Sequence, residues 1–420
     1  MTFADLIMKW FPLLFLLFLT VASDAQTAQW RGPGRNGIYP DTGLLKSWPE
    51  TGPPLLLQIN NIGRGFSSAV ATNDRIFVTG LKDSLDMLMA FDFSGALIWK
   101  RSFGPAWNES VPDSRCTPLI ENDRIYVLSG RDNLVCFDTS HGEKIWSVDV
   151  HEEYGSHWDM FGVSESLLLV DDKVICTPGG DSTTIIALDK MTGDLVWKSR
   201  SIGGQRSNAS PALFVNDTLG LRFIISMTRT HTFAVDPDNG EILWTYHYSY
   251  LGKDDENMTI QANTPLFHND EILLSSGWDY KTVMLEVSAD GLSVSEKYID
   301  RTLDNQNHGL VLLDGYVYGS NFLTRHFGKW VCMNWDTGEI MWVTEWQNKG
   351  PVISADGMLY IYDDKQGNVG LVRPNPDKFE LVSSFRVTEG SGAHWARPSI
   401  YGGRLFIRHG ATLLVYDLRA

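Results

Sequence analysis

Short apolar segments alternate with polar turns along almost the whole chain. Residues 75–78 (RIFV) and 124–127 (RIYV) each follow an Asn-Asp pair and alternate between apolar and more polar or aromatic side chains. A period of two is typical of half-buried β-strands, and Asn-Asp pairs favour tight turns because both residues tolerate left-handed backbone angles. A third strand ending in Asp or Asn, a turn with Gly and a fourth strand ending in Trp complete the unit. The pattern predicts a repeated four-stranded antiparallel meander.

The end of this unit is its most regular part. The clearest copy is residues 185–197, IIALDKMTGDLVW, and a Gly lies four residues before the final Trp in all five copies. In four copies an Asp or Asn lies four residues before that Gly. We expect the Asp or Asn to accept N–H groups of the turn, the Gly to adopt a positive φ and the Trp to pack between neighbouring units. The residues predicted to be structural are Asp92, Trp99, Asp138, Trp146, Asp189, Gly193, Trp197, Asp236, Trp244, Asn334 and Trp342.

Eight such units fit the chain, and the last one is incomplete. Residues 397–420 provide three strands, and residues 55–59 provide an apolar strand that can complete them. A ring of sheets that closes on itself removes the exposed edges that promote aggregation. The sequence therefore predicts an all-β, eight-bladed β-propeller of four-stranded antiparallel blades, closed by N- and C-terminal strands in one blade. Units five and seven lack the Trp, and we expect looser packing there.

The N-terminus is predicted to be a secretory signal peptide, residues 1–25. An apolar run over residues 11–21 follows Lys9 and ends in small residues up to Ala25, which is typical of a cleaved signal. A retained anchor is the alternative, although a span needs about twenty apolar residues. No Cys lies near the cleavage point. We therefore expect no lipid anchor, no stable membrane span after cleavage, and a periplasmic or secreted protein.

Residues 26–65 form a Gly/Pro-rich segment ahead of the propeller, which takes residues 66–420. Glycine and proline at this density exclude a long helix or a central strand. Over residues 30–59 we expect an ordered loop that runs across the surface and ends in the closing strand.

Charge and cysteine content limit the partners and the chemistry. The formal net charge is −16, and nucleic-acid binding needs clustered Lys and Arg, so nucleic acid is not an expected partner. The four cysteines show no C-x-x-C spacing. Buried free thiols are the default, while a bridge between Cys116 and Cys136 remains open.

The repeat resembles the tryptophan-docking repeat of the pyrroloquinoline-quinone-like (PQQ-like) β-propellers. The likeness lies in the pattern A-x-D-x-x-T-G-x-x-x-W, which runs from Ala187 to Trp197. The segment beginning at Trp30, WRGPGRNGIY, resembles the N-terminal segment of secreted bacterial members. The resemblance implies two alternatives: a non-catalytic binding propeller, similar to the lipoprotein scaffold of the outer-membrane β-barrel assembly machine, or a quinone-dependent alcohol or sugar dehydrogenase.

The dehydrogenase alternative implies PQQ bound with Ca²⁺, and many such enzymes stack the quinone against a ring of two adjacent cysteines. This chain has neither adjacent cysteines nor a C-x-x-C-H haem motif. PQQ with Ca²⁺ is expected only under that alternative, and otherwise we expect no cofactor. We favour a non-catalytic bacterial propeller that binds a protein or a small ligand, although the sequence does not decide whether the chain is an enzyme.

Any ligand site is predicted at the mouth of the central channel, where the innermost strand of each unit begins. Four cations among these residues could bind an anionic or sugar-like ligand through bidentate contacts. The alternative is that the polar groups only satisfy strand ends and channel waters. Three histidines and Asp159 raise a metal site, but their spacing gives no ligand signature, so none is predicted. The candidate residues are Arg64, Arg115, His157, Asp159, Asn208, Asn263, His308, Lys349, His394 and Arg397.

Overall fold

The computed structural model describes residues 27–158, 160–252 and 261–420. The predicted signal peptide and Asp159 lie outside these residues. The N-terminal segment contributes three short strands, β1 (Thr27–Ala28), β2 (Ile38–Tyr39) and β3 (Leu55–Asn60). The other strands build eight sheets arranged as blades, each a meander of antiparallel strands. The predicted eight-bladed all-β propeller is confirmed.

The blades follow one another in chain order. Blades 1 and 2 contain β4 (Val70–Ala71), β5 (Ile76–Lys82), β6 (Leu85–Phe91), β7 (Leu97–Pro105), β8 (Leu119–Glu121), β9 (Arg124–Leu128), β10 (Asn133–Asp138) and β11 (Lys144–Asp149). Blades 3 and 4 contain β12 (Leu168–Val170), β13 (Lys173–Cys176), β14 (Ile186–Asp189), β15 (Leu195–Lys198), β16 (Ala212–Asn216), β17 (Leu221–Met227), β18 (Thr232–Val235) and β19 (Ile242–Tyr246).

The second half of the ring repeats this order. Blades 5 and 6 contain β20 (Leu266–His268), β21 (Glu271–Leu274), β22 (Thr282–Val287), β23 (Val294–Asp300), β24 (Val311–Leu313), β25 (Tyr316–Ser320), β26 (Trp330–Asn334) and β27 (Ile340–Thr344). Blades 7 and 8 contain β28 (Val352–Ala355), β29 (Met358–Tyr362), β30 (Asn368–Arg373), β31 (Glu380–Arg386), β32 (Ser399–Tyr401), β33 (Arg404–His409) and β34 (Thr412–Asp417).

Blade 8 is closed by the two ends of the chain. Strand β3 pairs antiparallel with β34, with Leu57 opposite Val415 and Asn60 opposite Thr412. The sheet order is β3-β34-β33-β32, so the N-terminal strand is the outermost one. The strand predicted over residues 55–59 therefore does complete the last unit.

The antiparallel meander gives the ring two distinct faces. We call the face on which the inner strands begin the entry face, and the face on which they end the exit face. The turn between the second and third strands also lies on the entry face, as does the end of each outer strand. The two remaining hairpin turns of each blade lie on the exit face. Two short helical turns, α1 (Val150–Tyr154) and a 3₁₀ turn (Tyr248–Leu251), follow the outer strands of blades 2 and 4.

The core lies between the blades. Buried apolar side chains form clusters that each join two neighbours, for example Tyr126 of blade 2 with Val174 of blade 3, and Val317 of blade 6 with Met284 of blade 5. Burial of apolar area in these interfaces is the main favourable term for the fold. Within the described ranges, no helix is long and apolar enough to cross a membrane.

The repeat tryptophans connect each blade to the next. A Cβ added to Gly193 would lie 2.8 Å from the Trp146 ring, and one added to Gly240 would lie 2.5 Å from the Trp197 ring, so only Gly leaves room for the indole. Trp197 Nε1 also donates to the Pro237 carbonyl at 2.9 Å. The repeat carboxylates lie in the hairpin turns, where Asp189 accepts the Met191 and Thr192 N–H groups at 2.7 and 2.9 Å.

The two units without a repeat Trp are filled by other aromatic residues, and the expected looser packing is wrong. In blade 5 the sheet register puts Tyr298 at the Trp position; its ring packs on Gly338 and its hydroxyl donates to the Trp335 carbonyl at 2.7 Å. In blade 7 the register puts Ser383 there, and Trp48 of the N-terminal segment covers it, 5.9 Å from the Tyr360 ring. A Tyr in place of the Trp does not match the repeat pattern, and a Trp from a distant segment is not part of it. The sequence pattern therefore predicted neither of these aromatic residues.

The N-terminal segment does not simply run across the surface, because its first part lies inside the central channel. Strand β1 pairs antiparallel with the inner strand of blade 2, and β2 pairs in parallel with the inner strand of blade 7. The segment therefore rises from the exit face, turns near the entry face and returns. Trp30 at this turn is buried. The expectation of a surface loop failed because Gly and Pro content excludes helix but does not say whether a loop is buried.

Candidate functional site

The described candidate residues all lie in segments that lead into inner strands, on the entry face. The structure divides them into separate groups, each already engaged in contacts within the chain. Asp159 lies outside the described residues. The groups differ in burial and in the kind of partner that each side chain has.

The centre of the entry face is closed by Trp30 and three arginines. The guanidinium carbons of Arg31, Arg35 and Arg397 lie 5.7, 5.4 and 5.0 Å from the Trp30 ring centroid. Arg35 donates to the Ser166 and Leu167 carbonyls, both at 2.7 Å. Burial, followed by repulsion from Arg31, lowers the pKa of Arg397 to about 9. Of these arginines only Arg397 was a candidate, and its guanidinium faces an indole and the Asn307 carbonyl.

A buried polar group connects blades 5, 6 and 7. Lys349 donates to Gln306 Oε1 and the Thr324 carbonyl, both at 2.9 Å, and lies 4.2 Å from the Phe322 ring centroid. Burial lowers its pKa to about 8, although Asp364 and Asp304 oppose this shift. His308 Nε2 lies 3.5 Å from Asp364 Oδ2, and burial is the main cause that lowers the pKa of His308.

Within this polar group, the carboxyl of Asp304 has a hydrogen-bond partner for only one of its two oxygens. Its side chain is buried, Oδ2 accepts the Asp279 N–H at 2.8 Å, and Oδ1 has no hydrogen-bond partner. Burial raises the pKa of Asp304 to about 8. Asn263, a neighbouring candidate, is occupied by the 305–309 loop, donating to the Asn305 carbonyl at 2.6 Å and accepting the Gly309 N–H at 3.1 Å.

The remaining candidates are spread around the rim. Arg64 is exposed and pairs with Asp113 at 3.1 Å, while Arg115 donates to the Phe161 carbonyl at 2.7 Å. His157 is exposed, and Asn208 donates its backbone N–H to the Gln261 carbonyl at 2.7 Å. His394 stacks on His409 with 3.7 Å between ring centroids, and burial lowers the pKa of His394 to about 4. The described residues contain no group of three His, Cys, Asp or Glu arranged to hold a metal.

Sequence reasoning missed a buried ionic triad that joins three blades. Arg206 pairs with Asp132 and, through Nη2 at 2.8 Å, with Glu165 Oε2. Ser156 Oγ also donates to Asp132 at 2.5 Å. Burial raises the pKa of Glu165 to about 7 against the opposing effect of Arg206. The three residues lie far apart in the sequence with no shared motif, so no local pattern pointed to them.

A second missed feature is a series of Ser and Thr hydroxyl groups just before the inner strands, which links neighbouring blades by hydrogen bonds. The Ser68 N–H donates to Thr117 Oγ1 at 3.0 Å, the Thr117 N–H to Ser166 Oγ at 3.1 Å, the Ser166 N–H to Ser210 Oγ at 2.9 Å, and the Ser210 N–H to Thr264 Oγ1 at 3.2 Å. These bonds connect blades 1 to 5 in order. The signal was available in the sequence, because a Ser or Thr stands two residues before each of these inner strands.

Some of the exposed apolar side chains lie on the entry face, while others lie on the outer strands and in the exit-face turns. Trp395 is 36% exposed and its ring lies 5.1 Å from that of Phe66, and both residues lead into inner strands of adjacent blades. Phe66 is half-buried, and four more exposed residues come from the entry-face loops of blades 1 to 6: Leu85, Met160, Tyr250 and Leu323. We call these six residues the entry-face apolar set. Exposed Trp and Tyr on a rigid surface are typical of protein interfaces.

A pocket of about 580 Å³ opens on the opposite, exit face. It is the part of the channel that the N-terminal segment leaves free beside blades 8 and 1. Its walls include Ala69 to Ala71, Ser399 to Gly402 and Thr27 to Gln29, and Tyr39, Asp41, Phe93 and Arg404 also line it. None of the candidate residues from the sequence lines this pocket.

The fold, the docked aromatic residues and the repeat define a β-propeller of the PQQ-like class. The chain belongs to the family described as outer membrane protein assembly factor BamB, whose model matches residues 85–321. The match covers more than half of the chain.

Individual relatives are distant in sequence. The outer membrane protein assembly factor BamB of Shewanella oneidensis is 22% identical over 273 residues, 62% of this chain and 65% of that protein. Quinoprotein ethanol dehydrogenase of Pseudomonas aeruginosa is 23% identical over 188 residues, 40% of this chain and 30% of that enzyme. The matched regions thus span less than two thirds of these relatives.

Solved structures agree on the fold. The crystal structure of BamB from Moraxella catarrhalis superimposes with a TM-score of 0.62 at 16% identity, over 87% of this chain and all of that one. Quinohemoprotein alcohol dehydrogenase from Comamonas testosteroni gives 0.64 at 12% identity, over 92% and 79%. Because BamB and an alcohol dehydrogenase superimpose about equally well, fold similarity does not choose between their functions.

The quinone alternative can be tested against the residues present. The described cysteines are four separate buried free thiols, and burial raises the pKa of Cys116 to about 12. No described carboxylate cluster is arranged to hold Ca²⁺. The axis at the entry face is filled by Trp30 and its arginines. The described residues therefore do not fit PQQ with Ca²⁺.

Proposed function

We propose that this protein is a non-catalytic protein-interaction propeller of the bacterial cell envelope, which uses its entry face to bind a partner in outer membrane protein assembly. The observation that carries the proposal is the entry-face apolar set, above all Trp395, which is 36% exposed, and the half-buried Phe66 ring beside it. Family membership with an outer membrane protein assembly factor supports the class of partner. A periplasmic location follows from the predicted signal peptide and stays part of the proposal.

A rigid ring with a closed centre supports the proposal that the entry face binds a protein. Trp30, Arg31 and Arg397 fill the entry end of the channel, so a ligand cannot pass along the axis from this side. What the entry face offers is a broad surface with separate apolar side chains between polar groups. Such a surface resembles a protein interface, in which a few Trp and Tyr residues carry most of the binding energy.

The decisive experiment is carried out in the organism that encodes the chain. The gene is deleted, and the deletion is complemented with the wild type, with the double variant Phe66→Ser/Trp395→Ser, and with Met191→Ser. Met191 is 49% exposed but lies in an exit-face hairpin, so it serves as the matched control. The readout is the amount of folded outer-membrane β-barrel protein.

We expect the deletion and the double variant to reduce folded β-barrel proteins, and the control to restore the wild-type amount. A photo-crosslinking residue at position 395 should then capture an envelope protein that the same residue at position 191 does not. Unchanged β-barrel levels in the deletion strain would contradict the assigned process. A double variant that complements fully would contradict the assigned surface.

A further inference from the structure

We propose that the protonated form of His409 fixes the loop that carries Trp395, so that the entry face binds its partner more tightly at acid than at alkaline pH. The inference rests on the proposed function and names a regulation of that same surface. The loop connects the outer strand of blade 7 to the inner strand of blade 8, and we call its residues 387–398 the blade 7–8 loop.

His409 bonds to this loop through both of its ring nitrogens. Nδ1 lies 2.6 Å from the Glu389 carbonyl oxygen, and Nε2 lies 3.0 Å from the Gly392 carbonyl oxygen. A carbonyl oxygen can only accept, so each nitrogen must donate an N–H to form its bond. A neutral imidazole has one N–H, whereas an imidazolium has two. Both bonds therefore exist together only when His409 is protonated.

These two bonds hold the middle of the blade 7–8 loop in place. Residues 388–393 form no other hydrogen bond to the rest of the described chain. Gly390 and Gly392 have φ values of 92° and 96°, and glycine has more backbone conformations open to it than other residues have. When His409 loses a proton, one bond is lost, and this part of the loop is free to adopt other conformations.

The histidine stacked on His409 does not carry the charge. The rings of His394 and His409 are 3.7 Å apart between centroids and inclined by 20°. Burial, followed by repulsion from His409, lowers the pKa of His394 to about 4, and its Nδ1 is hydrogen-bonded to the Tyr362 hydroxyl. Histidine side chains commonly change charge between about pH 5 and pH 8. In that range His394 is neutral, and His409 is the member of the pair that can take up a proton.

No carboxylate of the described chain forms an ion pair with His409. The charged or titratable groups around the two rings are Tyr362, Asp363, Asp364, Arg386, Glu389 and Tyr416. Asp363 accepts the Lys365 N–H at 2.9 Å. Asp364 accepts from the Asn348 side chain at 2.8 Å. The proton on His409 is therefore linked to the two loop carbonyls and not to an ion pair.

The blade 7–8 loop positions Trp395 on the entry face. Trp395 directly follows His394, and its ring lies 5.1 Å from that of Phe66. Phe66 is held separately, because its backbone N–H donates to the Ser114 carbonyl at 2.8 Å. When the loop is free, a partner that binds Trp395 must also order the loop, and this entropy cost weakens binding. Acid pH therefore favours the form of the entry face that binds the partner.

The first test uses the mature protein without a partner. Its imidazole rings are labelled with ¹⁵N and its tryptophans with fluorine, and the ¹⁹F NMR signal of Trp395 is assigned by its loss in Trp395→Phe. As the pH rises from about 5 to about 8, we expect His409 to lose one of its two ring protons. The Trp395 signal should change with the same midpoint. Both changes are observed in the wild type, so the test does not depend on a variant that folds.

Two variants separate the effect of His409 from that of the other histidines. His409→Gln removes the titrating ring, so the Trp395 signal should no longer depend on pH. His141→Gln is the matched control, since the His141 side chain is 80% exposed in an exit-face hairpin turn of blade 2. It should keep the pH dependence of the wild type.

The second test measures binding of the envelope protein that is captured at position 395. Its affinity for the wild type should be about fivefold lower at about pH 8 than at about pH 5, which corresponds to the net contribution of one hydrogen bond. With His409→Gln the affinity should be nearly the same at both pH values, and His141→Gln should behave as the wild type does.

Three results would overturn the proposal. One is that His409 carries a single ring proton even at the acid end of the range. Another is that the Trp395 signal does not follow the titration of His409, or changes equally in His409→Gln. The third is a wild-type affinity that does not depend on pH. If no partner is captured, the proposed function fails, whereas the first test still decides whether His409 controls the position of Trp395.

Discussion

The backbone N–H of Trp48 donates a hydrogen bond to the Ser383 hydroxyl at 3.1 Å. Ser383 stands in blade 7 where other blades carry the repeat Trp, so an indole from the N-terminal segment takes the place of the missing residue. Trp48 also lies 5.9 Å from the Phe385 ring in an edge-to-face contact. The N-terminal segment therefore closes blade 8 with β3 and completes blade 7 with a side chain.

Replacing Trp48 should destabilise the protein as much as replacing a repeat Trp. Trp48→Ala removes a buried indole, and the expected loss in the free energy of unfolding is about 3–5 kcal/mol. Leu55→Ala, in the same segment but 47% exposed, should cost no more than about 0.5 kcal/mol. Equilibrium urea denaturation measures both. Equal losses for the two variants would show that Trp48 does not dock.

Tyr298 should depend on its hydroxyl as well as on its ring. Tyr298→Phe keeps the ring against Gly338 and loses the bond to the Trp335 carbonyl, so we expect a loss of about 1 kcal/mol. Tyr298→Ala loses both and should cost about 3–5 kcal/mol. Thermal unfolding under identical conditions ranks the two variants. If Tyr298→Phe is as damaging as Tyr298→Ala, ring packing is not the main contribution.

The Asp132–Arg206–Glu165 triad should be far more sensitive than an exposed ion pair. Arg206→Met leaves two buried carboxylates without their cation, and the expected cost is about 3–5 kcal/mol.

The matched control is Arg222→Met. Arg222 pairs with Asp171 at 2.7 Å with both side chains substantially exposed, so its loss should cost at most about 1 kcal/mol. Urea denaturation midpoints compare the two. A small effect at Arg206 would mean that its carboxylates take up protons at little cost.

Asp304 should make stability depend on pH. Burial raises the pKa of Asp304 to about 8 from its ordinary value of 3.8. Between these values the folded state binds a proton that the unfolded state releases, so stability falls as pH rises from about 4 to about 8. Asp304→Asn removes this contribution, and its stability should fall less over the same range. Melting temperatures at several pH values test this, and parallel profiles would contradict the assignment.

The repeats allowed the ring, the blade number and the closing strand to be predicted, because each depends on patterns written many times along the chain. Residues without copies could not be placed in this way. Trp48 completes blade 7 although more than three hundred residues separate it from Ser383. Arg206 pairs with Asp132, which lies two blades away. Trp30 closes the entry end of the channel although a Gly/Pro-rich segment predicts only irregular structure. The described candidate residues do lie in the segments that precede inner strands, but the sequence did not show that most of their side chains already have partners inside the protein.

Closure of blade 8 has a kinetic consequence. The Thr412 hydroxyl donates to Asn60 Oδ1 across 352 residues of sequence. Contacts between such distant residues form late, since the entropy of closing a long loop must be overcome before they contribute. During synthesis, β3 is made early, and its backbone groups remain unpaired until β34 has been synthesised. We therefore expect ring closure to be the slow step of folding, and the nearly complete chain to be the species most in need of protection from aggregation.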